Sequence, residues 1–462
     1  MALARFPNIK ATRARLALKR MLCLAIIGGS SLHFSPAHCV PAFARQTHQP
    51  CSGCHIGGFG PQLTAFGRQF KLLGYTLQAG DDTKIPLSMM LVEAFTHTQK
   101  AQADPPGNGF KRNDNVELEQ ASAFLAGRLG DHLGVFAQAT YSDNGGKLGW
   151  DNVELRYAHA IQIDGHTGIW GISLNNNPGM SDVFNTIPAW QYPYMSPDLA
   201  SSAPAMPALF GAMAGQVVGV SAYAQLDGAW YAEAGGYRSL SPTVLARVNA
   251  DFGGRIAGIA PYVRIAYTKD TTTGNFEAGG VLFNTRRGLV GSDASGNVTS
   301  LAGPADRFDD IGLDASYQYI GDGTRILTIK ALYVDERERL DASFAAGSAE
   351  RLHHSLRSLN LDASYWYKNT WGVTLGGFAN QGSRDALLYP ATGRPDTDGG
   401  ILEFNWNPFG KADSWAAPFA NMRLGVQYTF YTRFAGATSH IDANNRRAGD
   451  NNTLFIYTWL AL

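Results

Sequence analysis

From about residue 85 onward, apolar and polar positions alternate with a period of two, the spacing of a strand with two unlike faces. In the run from Met422 to Phe434, Arg423, Gln427, Thr429 and Arg433 share one face, and Leu424, Val426, Tyr428, Phe430 and Phe434 share the other. Leu359, Leu361, Ala363, Tyr365 and Tyr367 likewise oppose Asn360, Asp362, Ser364 and Lys368. Ile311, Leu313, Ala315 and Tyr317 oppose Asp314, Ser316 and Gln318, while Val153, Leu155 and Tyr157 oppose Glu154 and Arg156. Leu402, Phe404 and Trp406 oppose Glu403 and Asn405. The pattern predicts strands near 85–99, 114–129, 131–143, 148–163, 166–177, 215–226, 228–239, 252–268, 275–286, 307–321, 324–337, 352–368, 371–383, 398–408, 420–434 and 451–462. That is about sixteen, an even number, as single-chain bacterial barrels have.

The links between strands alternate in length. After most even-numbered strands the link is tight, as at Gly130-Asp131, Asp164-Gly165, Asp227-Gly228, Asp322-Gly323 and Asn369. After most odd-numbered strands it is long, with exceptions near Asn144 and Lys411. A soluble sandwich has no reason to sort its loops in this way. Transmembrane barrels do, with short turns in the periplasm and long loops outside. The polar face carries charges and the apolar face is rich in Tyr and Trp near strand ends, as in a barrel with a wet lumen and an aromatic girdle. The expected fold class is therefore all-β, a porin-like transmembrane barrel from residue 85 to 462.

Residues 45–84 read differently. Cys51, Cys54 and His55 form CSGCH, two thiols two residues apart followed at once by an imidazole. This matches the attachment signature of a c-type haem, whose porphyrin forms thioethers with both thiols while the adjacent ring nitrogen binds the iron. A zinc half-site would need further ligands, and no second Cys pair follows; a redox dithiol is the other alternative. After a turn at Gly57, Gly58 and Gly60, Pro61 suits the first position of a helix. Leu63, Phe66, Phe70 and Leu73 recur at helical spacing and form one apolar face. Arg68 and Lys71, one turn apart, are candidates for contact with anionic haem propionates, a solvated surface pair being the alternative. So short a segment cannot build a self-sufficient core, so the barrel lumen must house it as a plug.

Ahead of this segment, Arg5, Lys10, Arg13, Arg15, Lys19 and Arg20 precede the apolar run from Met21 to Phe34 and a small-residue site at Ala42 and Ala44. That is the layout of a secretory signal peptide over residues 1–44, with the cut after Ala44 or a few residues earlier. Cys23 and Cys39 leave with it, so no disulfide framework is expected. The chain of 462 residues has no formal net charge and only 16% charged residues, which excludes the strongly basic profile of nucleic-acid binding.

Between the predicted strands, Pro178 to Ala214 is the longest loop. Its prolines, at 178, 188, 193, 197, 204 and 207, forbid ladder pairing, so it must cap or fold into the barrel mouth. Met180, Met195, Met206 and Met213 in it are read as packing residues. His353 and His354 are placed in another long loop, as a solvated pair.

The run FARQTHQPCSGCHIGGFGPQLTAFGRQFKLLGYTL (Phe43 to Leu77), the FTHT from Phe95 to Thr98, RLGVQYTFYTRF and the closing NNTLFIYTWLAL resemble the fused monohaem cytochrome-porins of Gram-negative outer membranes. The resemblance spans essentially the whole mature chain and is most specific from Ala44 to Tyr75. Leu462 departs from it, because barrel proteins commonly end in Phe or Trp. It implies one covalently attached haem c on a plug, passing electrons from an extracellular donor, Fe(II) among the candidates, to a periplasmic carrier.

For the second axial position the expected candidates are His97 and Met89, which share a strand face with Glu93. That face is read as lumenal because the other carries Val92 and Ala94, and Met90 is then turned to lipid. His48 is a third choice. Rival readings are a solute channel with a haem plug or sensor, a soluble periplasmic haem protein and, more distantly, a peroxidase.

Overall fold

The computed structural model describes residues 41–80, 86–211, 213–250, 252–292 and 298–462. Met1 to Val40 of the expected leader, and the boundary at 84/85, lie outside the described residues.

Sixteen antiparallel strands close into one barrel, which β1 (Leu87–Thr98) seals by pairing with the last strand, Thr453–Ala461. The register runs from Met90 opposite Ala461 to Thr98 opposite Thr453. Each predicted stretch falls on one barrel strand. The largest offset is at 252–268, whose strand runs Ala260–Asp270, because Gly253, Gly254 and Gly258 keep the preceding stretch irregular. Tight links follow from turn chemistry. Asp164-Gly165, Asp227-Gly228 and Lys368-Asn369 all take positive φ, which matches the twist of paired strands. The longer loops carry what secondary structure they have, including the Pro242–Arg247 and Asp341–Ala345 helices and a hairpin of Val290–Ser292 with Val298–Ser300.

The two faces sort as the alternation requires. Leu313, Leu361, Tyr365, Leu375, Leu402, Phe404 and Val426 are exposed on the outside, whereas Asp314, Asp362, Ser364, Glu403 and Gln427 are buried inside. Trp230 beside Tyr267, and Trp371 stacked on Trp406, sit near the short-turn ends as a girdle. A closed sheet leaves no unpaired edge, and an apolar exterior around a polar interior is the arrangement a bilayer demands. The chain is an outer-membrane barrel of the Gram-negative type, embedded in the lipid bilayer, and among the described residues no helix is long and apolar enough to cross a membrane.

Three expectations need correction. Phe434 packs inward with Ile441 and Ala448, because a bulge pairs Asp398 with Arg433 but Gly399 with Tyr431, and the extra residue flips the phase. His353 and His354 begin a strand instead of lying in a loop, and buried His354 sits 3.0 Å from the Asp385 carboxylate. Pro61 does not open a helix. The helix starts at Ala65, with Thr64 as its cap accepting from the Gly67 N–H at 3.2 Å.

The lumen is filled from both ends. The helices Pro41–Thr47, Cys51–Cys54 and Ala65–Leu72 occupy the short-turn end. The loop from Asn176 to Gln216 folds in from the long-loop end and buries Met180, Val183, Phe184, Ile187, Leu199 and Met213. Its methionines pack, with the exception of exposed Met206.

Candidate functional site

The Cys51–Cys54 turn is shaped by short local bonds. His55 N–H donates to Cys51 O at 2.9 Å, Ile56 N–H to Gln62 O at 2.9 Å and Thr64 N–H to Cys54 O at 2.9 Å. The Thr64 hydroxyl donates to Gly53 O at 2.6 Å. The Ala65–Leu72 helix thus lies directly on the turn, and at Gly67 a Cβ would stand 2.3 Å from Cys54 O. Only glycine permits that approach.

Barrel side chains then grip the loop after His55, carbonyl by carbonyl. Asn407 donates to Gly57 O, Asn421 to Gly58 O at 2.6 Å and Arg423 to Phe59 O at 2.6 Å. Asn185 donates to Pro61 O at 2.8 Å and Gln318 to Leu63 O at 3.1 Å. Gly57 N–H in turn donates to Asn369 at 2.9 Å. Every one of these partners is an amide or guanidinium at the barrel wall or in the folded-in loop. The sequence reading missed them because an Asn at a strand end looks like turn chemistry.

Cys54 and His55 line a cavity of about 390 Å³ inside the lumen. Its walls include Phe43, Phe59, Phe70, Phe124, Phe136, Trp190 and Trp459. Phe43 ties the first helix to this wall, 4.9 Å edge-on to Phe70 and 5.3 Å stacked on Tyr75. Burial pulls the His55 pKa down to about 4, helped by the nearby Arg423 charge, so the imidazole is neutral with a free lone pair. Burial also pushes the Cys54 thiol up to about 12, with the Cys51 sulfur adding to the shift, and Cys51 shifts the same way. Neither cysteine is in a disulfide.

Several side chains that line this cavity carry a buried polar atom without a protein partner: His55 Nδ1, Gln120 Oε1, Gln191 Oε1 and Trp459 Nε1. Buried polar groups are almost always paired, so unpaired ones beside an aromatic cavity set this part of the lumen apart. Of the two thiols Cys54 lines the cavity and half-buried Cys51 does not; this pair, a neutral imidazole and aromatic walls are a donor set able to hold a flat macrocycle with a coordinated metal.

The predicted accessory residues separate. Lys71 lines the cavity, 4.8 Å over the Trp190 ring, but its ammonium donates to Met180 O (2.9 Å), Asp182 O (2.6 Å) and Asn185 (2.9 Å). Arg68 turns to the barrel, donating to Asp270 and Gln318 at 2.7 Å each. Both cations thus serve first to fasten the helix to its housing. On β1 the faces are the reverse of those expected. Met90 is 7% exposed and packs inward with Val92, Ala94, Phe59, Phe124 and Trp459, whereas Met89 is 54% exposed on the outer face. His97 lies on that outer face too, 2.6 Å from Asp114 near the long-loop end. The wall that receives the aromatic plug must itself be apolar, so polarity does not mark the lumen on this strand. Neither Met89 nor His97 lines the cavity; Met90 and Met195 do. His48 is exposed and does not line it either.

A second cavity, of about 500 Å³, lies between the folded-in loop and the wall formed by the strands from Arg325–Arg339 to Thr453–Ala461. Pro188, Gln191 and Pro193 line both cavities, so this piece of loop is the partition between them. Tyr192 lines the outer cavity and Tyr194 the inner, with their rings edge to face at 5.5 Å.

No family model matches the chain, and no curated protein matches it. Among solved structures, OmpT of Vibrio cholerae is 11% identical with a TM-score of 0.43, covering 81% of this chain and 97% of its own. An anion-selective porin from Comamonas acidovorans is 11% identical at 0.44, with 81% and 98% covered. The outer-membrane channel DcaP of Acinetobacter baumannii is 12% identical at 0.45, with 83% and 99% covered. At such values the likenesses carry no weight of their own. The closed sheet with its apolar exterior defines the class, a porin-like outer-membrane barrel with a filled lumen.

Proposed function

We propose that this chain is an outer-membrane c-type cytochrome of the fused cytochrome-porin kind, passing electrons between an extracellular donor, Fe(II) being one candidate, and a periplasmic carrier. What supports this above all is that Cys54 and His55 of CSGCH line an aromatic cavity, with His55 Nδ1 left without a protein partner. Residues 45–84 then serve as the haem-bearing plug and residues 85–462 as its housing. A haem linked to Cys51 and Cys54 supplies a one-electron couple when bound. His55 would offer it a neutral nitrogen, and Met90 and Met195, which line the same cavity, are the thioethers that could serve as its second ligand. A thioether there would raise the potential relative to a second imidazole. The aromatic walls keep bulk water from the site.

Two measurements test the reading. The purified protein should give the alkaline pyridine spectrum of a thioether-linked haem, lost in Cys51→Ala/Cys54→Ala. In liposomes it should reduce an entrapped acceptor from an outside donor without leaking small solutes. Absence of covalent haem from protein exported with its maturation machinery would overturn the proposal. For the axial residue, Met90→Ala and Met195→Ala are compared by the methionine-to-iron charge-transfer band, which one of them should abolish. The outer cavity of about 500 Å³ favours a second reading, a solute channel. That reading requires steady single-channel conductance in planar bilayers.

A further inference from the structure

At the long-loop end, the outer face of four adjacent strands carries a row of arginines. The strands are Gly274–Arg287, Asp306–Tyr319, Arg325–Arg339 and His353–Tyr367. Register sets Arg307 directly opposite both Arg286 and Arg339, and Arg339 opposite His353. Arg337 lies opposite Asp309, and Arg357 opposite Asp335. Alternation turns all five guanidiniums outward, because Thr285, Asp306, Asp310, Glu336 and His354 are the buried set on these strand ends. The side chains of Arg307, Arg337, Arg339 and Arg357 are between 55% and 80% exposed, and Arg286 is exposed as well.

Like charges in directly opposed positions destabilise a sheet. Three carboxylates offset part of that cost. Asp309 pairs with Arg307 at 2.8 Å, Asp341 with Arg339 at 3.0 Å, and Asp335 is shared by Arg357 at 3.0 Å and Arg337 at 3.8 Å. Each of these contacts engages the guanidinium Nε alone, so the Nη groups of all four arginines stay available. Arg286 has no partner among the described residues. Five cations against three carboxylates leave the patch positive. Further down the same outward columns, Leu282, Ile311, Tyr333 and Leu359 begin the exposed lipid-facing belt. A guanidinium fork with free Nη groups is the natural receiver of a phosphate, which accepts two parallel N–H bonds from one arginine. We propose that this arginine row binds the phosphorylated headgroup of an outer-leaflet lipid, whose acyl chains lie along the apolar columns below it. Charge complementarity selects the phosphate, and continuity with the bilayer-facing belt selects a lipid over a soluble anion. The site goes beyond the electron-transfer reading and stands for a conduit or a channel alike.

The test offers the full-length protein in detergent a glycolipid with two phosphates (lipid A), its monophosphoryl form, or inorganic phosphate. Bound lipid is counted by native mass spectrometry along a titration. Wild type should hold the two-phosphate form most tightly, and added salt should weaken it. Arg307→Gln/Arg339→Gln removes two forks and should weaken binding on the order of tenfold or more, the worth of a charge-assisted hydrogen bond. Asp335→Asn releases Arg337 and Arg357 and should tighten binding several-fold. Arg325→Gln, at the short-turn end of the same outer face, should change nothing. Heat-shifted gel mobility checks that each barrel is folded, and if the double variant does not fold, Asp335→Asn and Arg286→Gln decide. Equal binding by wild type and the double variant, an equal loss in Arg325→Gln, or inorganic phosphate held as tightly as lipid A would overturn the assignment.

Discussion

Replacing Arg156 with Met should release the N-terminal segment from its housing without unfolding the barrel. The guanidinium donates to Glu154 Oε1 at 2.7 and 3.0 Å, to Lys71 O at 3.1 Å and to Ser181 O at 2.6 Å, joining wall, plug and loop at one buried point. Both charges are fully buried. Glu154 also accepts from Ser173 and from Tyr75 of the plug, each at 2.5 Å. Without Arg156 the carboxylate keeps those hydroxyls and the more distant Lys71 charge, and removing one partner of a buried pair costs about 3–5 kcal/mol. Undocking the plug hydrates Glu154 and relieves that cost, so the penalty falls on the docked state. At about 1.4 kcal/mol per factor of ten, undocked molecules should become on the order of 10²–10³ times more frequent. Trypsin reads that population directly when reclosing is faster than cleavage, because Arg68 and Lys71 are buried while the plug is seated. The cleavage rate of the segment should rise by the same factor while the barrel keeps its heat-shifted mobility. Adding Glu154→Gln removes the orphan charge and should recover most of the protection. A cleavage rate within about threefold of wild type for Arg156→Met would refute the reasoning.

Three further outcomes follow from the same contacts. Met90→Ala should cost about 2–5 kcal/mol in urea unfolding, as a core truncation does, whereas lipid-facing Met89→Ala should stay within about 0.5 kcal/mol; the opposite order would restore the faces first expected from the sequence. Gly67→Ala should destabilise the plug by about 1–3 kcal/mol through overpacking against Cys54 O, seen as a lower yield of protein with covalent haem at unchanged barrel yield, and an unchanged yield would show that the close approach is not needed. Burial holds the Lys71 pKa at about 7, below its ordinary 10.5, so between those values the unfolded chain binds the extra proton and stability climbs with pH. The climb, at most about 1.4 kcal/mol per pH unit, should be missing in Lys71→Met, and identical pH profiles for the two proteins would contradict it.

The strands were legible because one physical rule governs them. Lipid on one side and water or polar protein on the other write a period of two, and β-turns such as Asp227-Gly228 punctuate it where positive φ is needed. The rule failed where its premise did. Along β1 the inner wall meets Phe59 and Trp459 instead of water, so Met90, Val92 and Ala94 face inward, and the apolar side no longer signals lipid. The bulge that turns Phe434 inward inserts one residue, which no periodicity can anticipate. The helix start was misplaced because Pro61 is a permissive signal, whereas Thr64 is held by two hydrogen bonds that exist only once the Cys51–Cys54 turn has formed, its hydroxyl to Gly53 O and its N–H to Cys54 O. The grip of Asn407, Asn421 and Arg423 on successive carbonyls was out of reach for a related reason. Those partners lie some 350 residues away in sequence, and only barrel closure brings them to the loop.

The same long-range contacts bear on which function the lumen can serve. A solute crossing the whole barrel would have to unseat the loop that partitions it. Asp182 of that loop pairs with Arg264 at 2.9 Å, both fully buried, while Arg264 also holds Asp314 of the wall at 2.7 Å. The Thr186 hydroxyl donates to Asp314 at 2.5 Å, and Lys71 holds the loop at three further acceptors. Breaking one such buried pair alone costs about 3–5 kcal/mol, a population penalty of two to three powers of ten. An electron needs no displaced loop. It needs only a donor on one side of the partition and an acceptor on the other, with packed protein such as the Tyr192–Tyr194 ring pair between. The bonds that would make this barrel a poor pore are therefore no obstacle to a conduit. Loosening the loop with Asp182→Asn should raise conductance while leaving reduction of an entrapped acceptor in place, and a wild-type barrel already as conductive as that variant would reverse the preference.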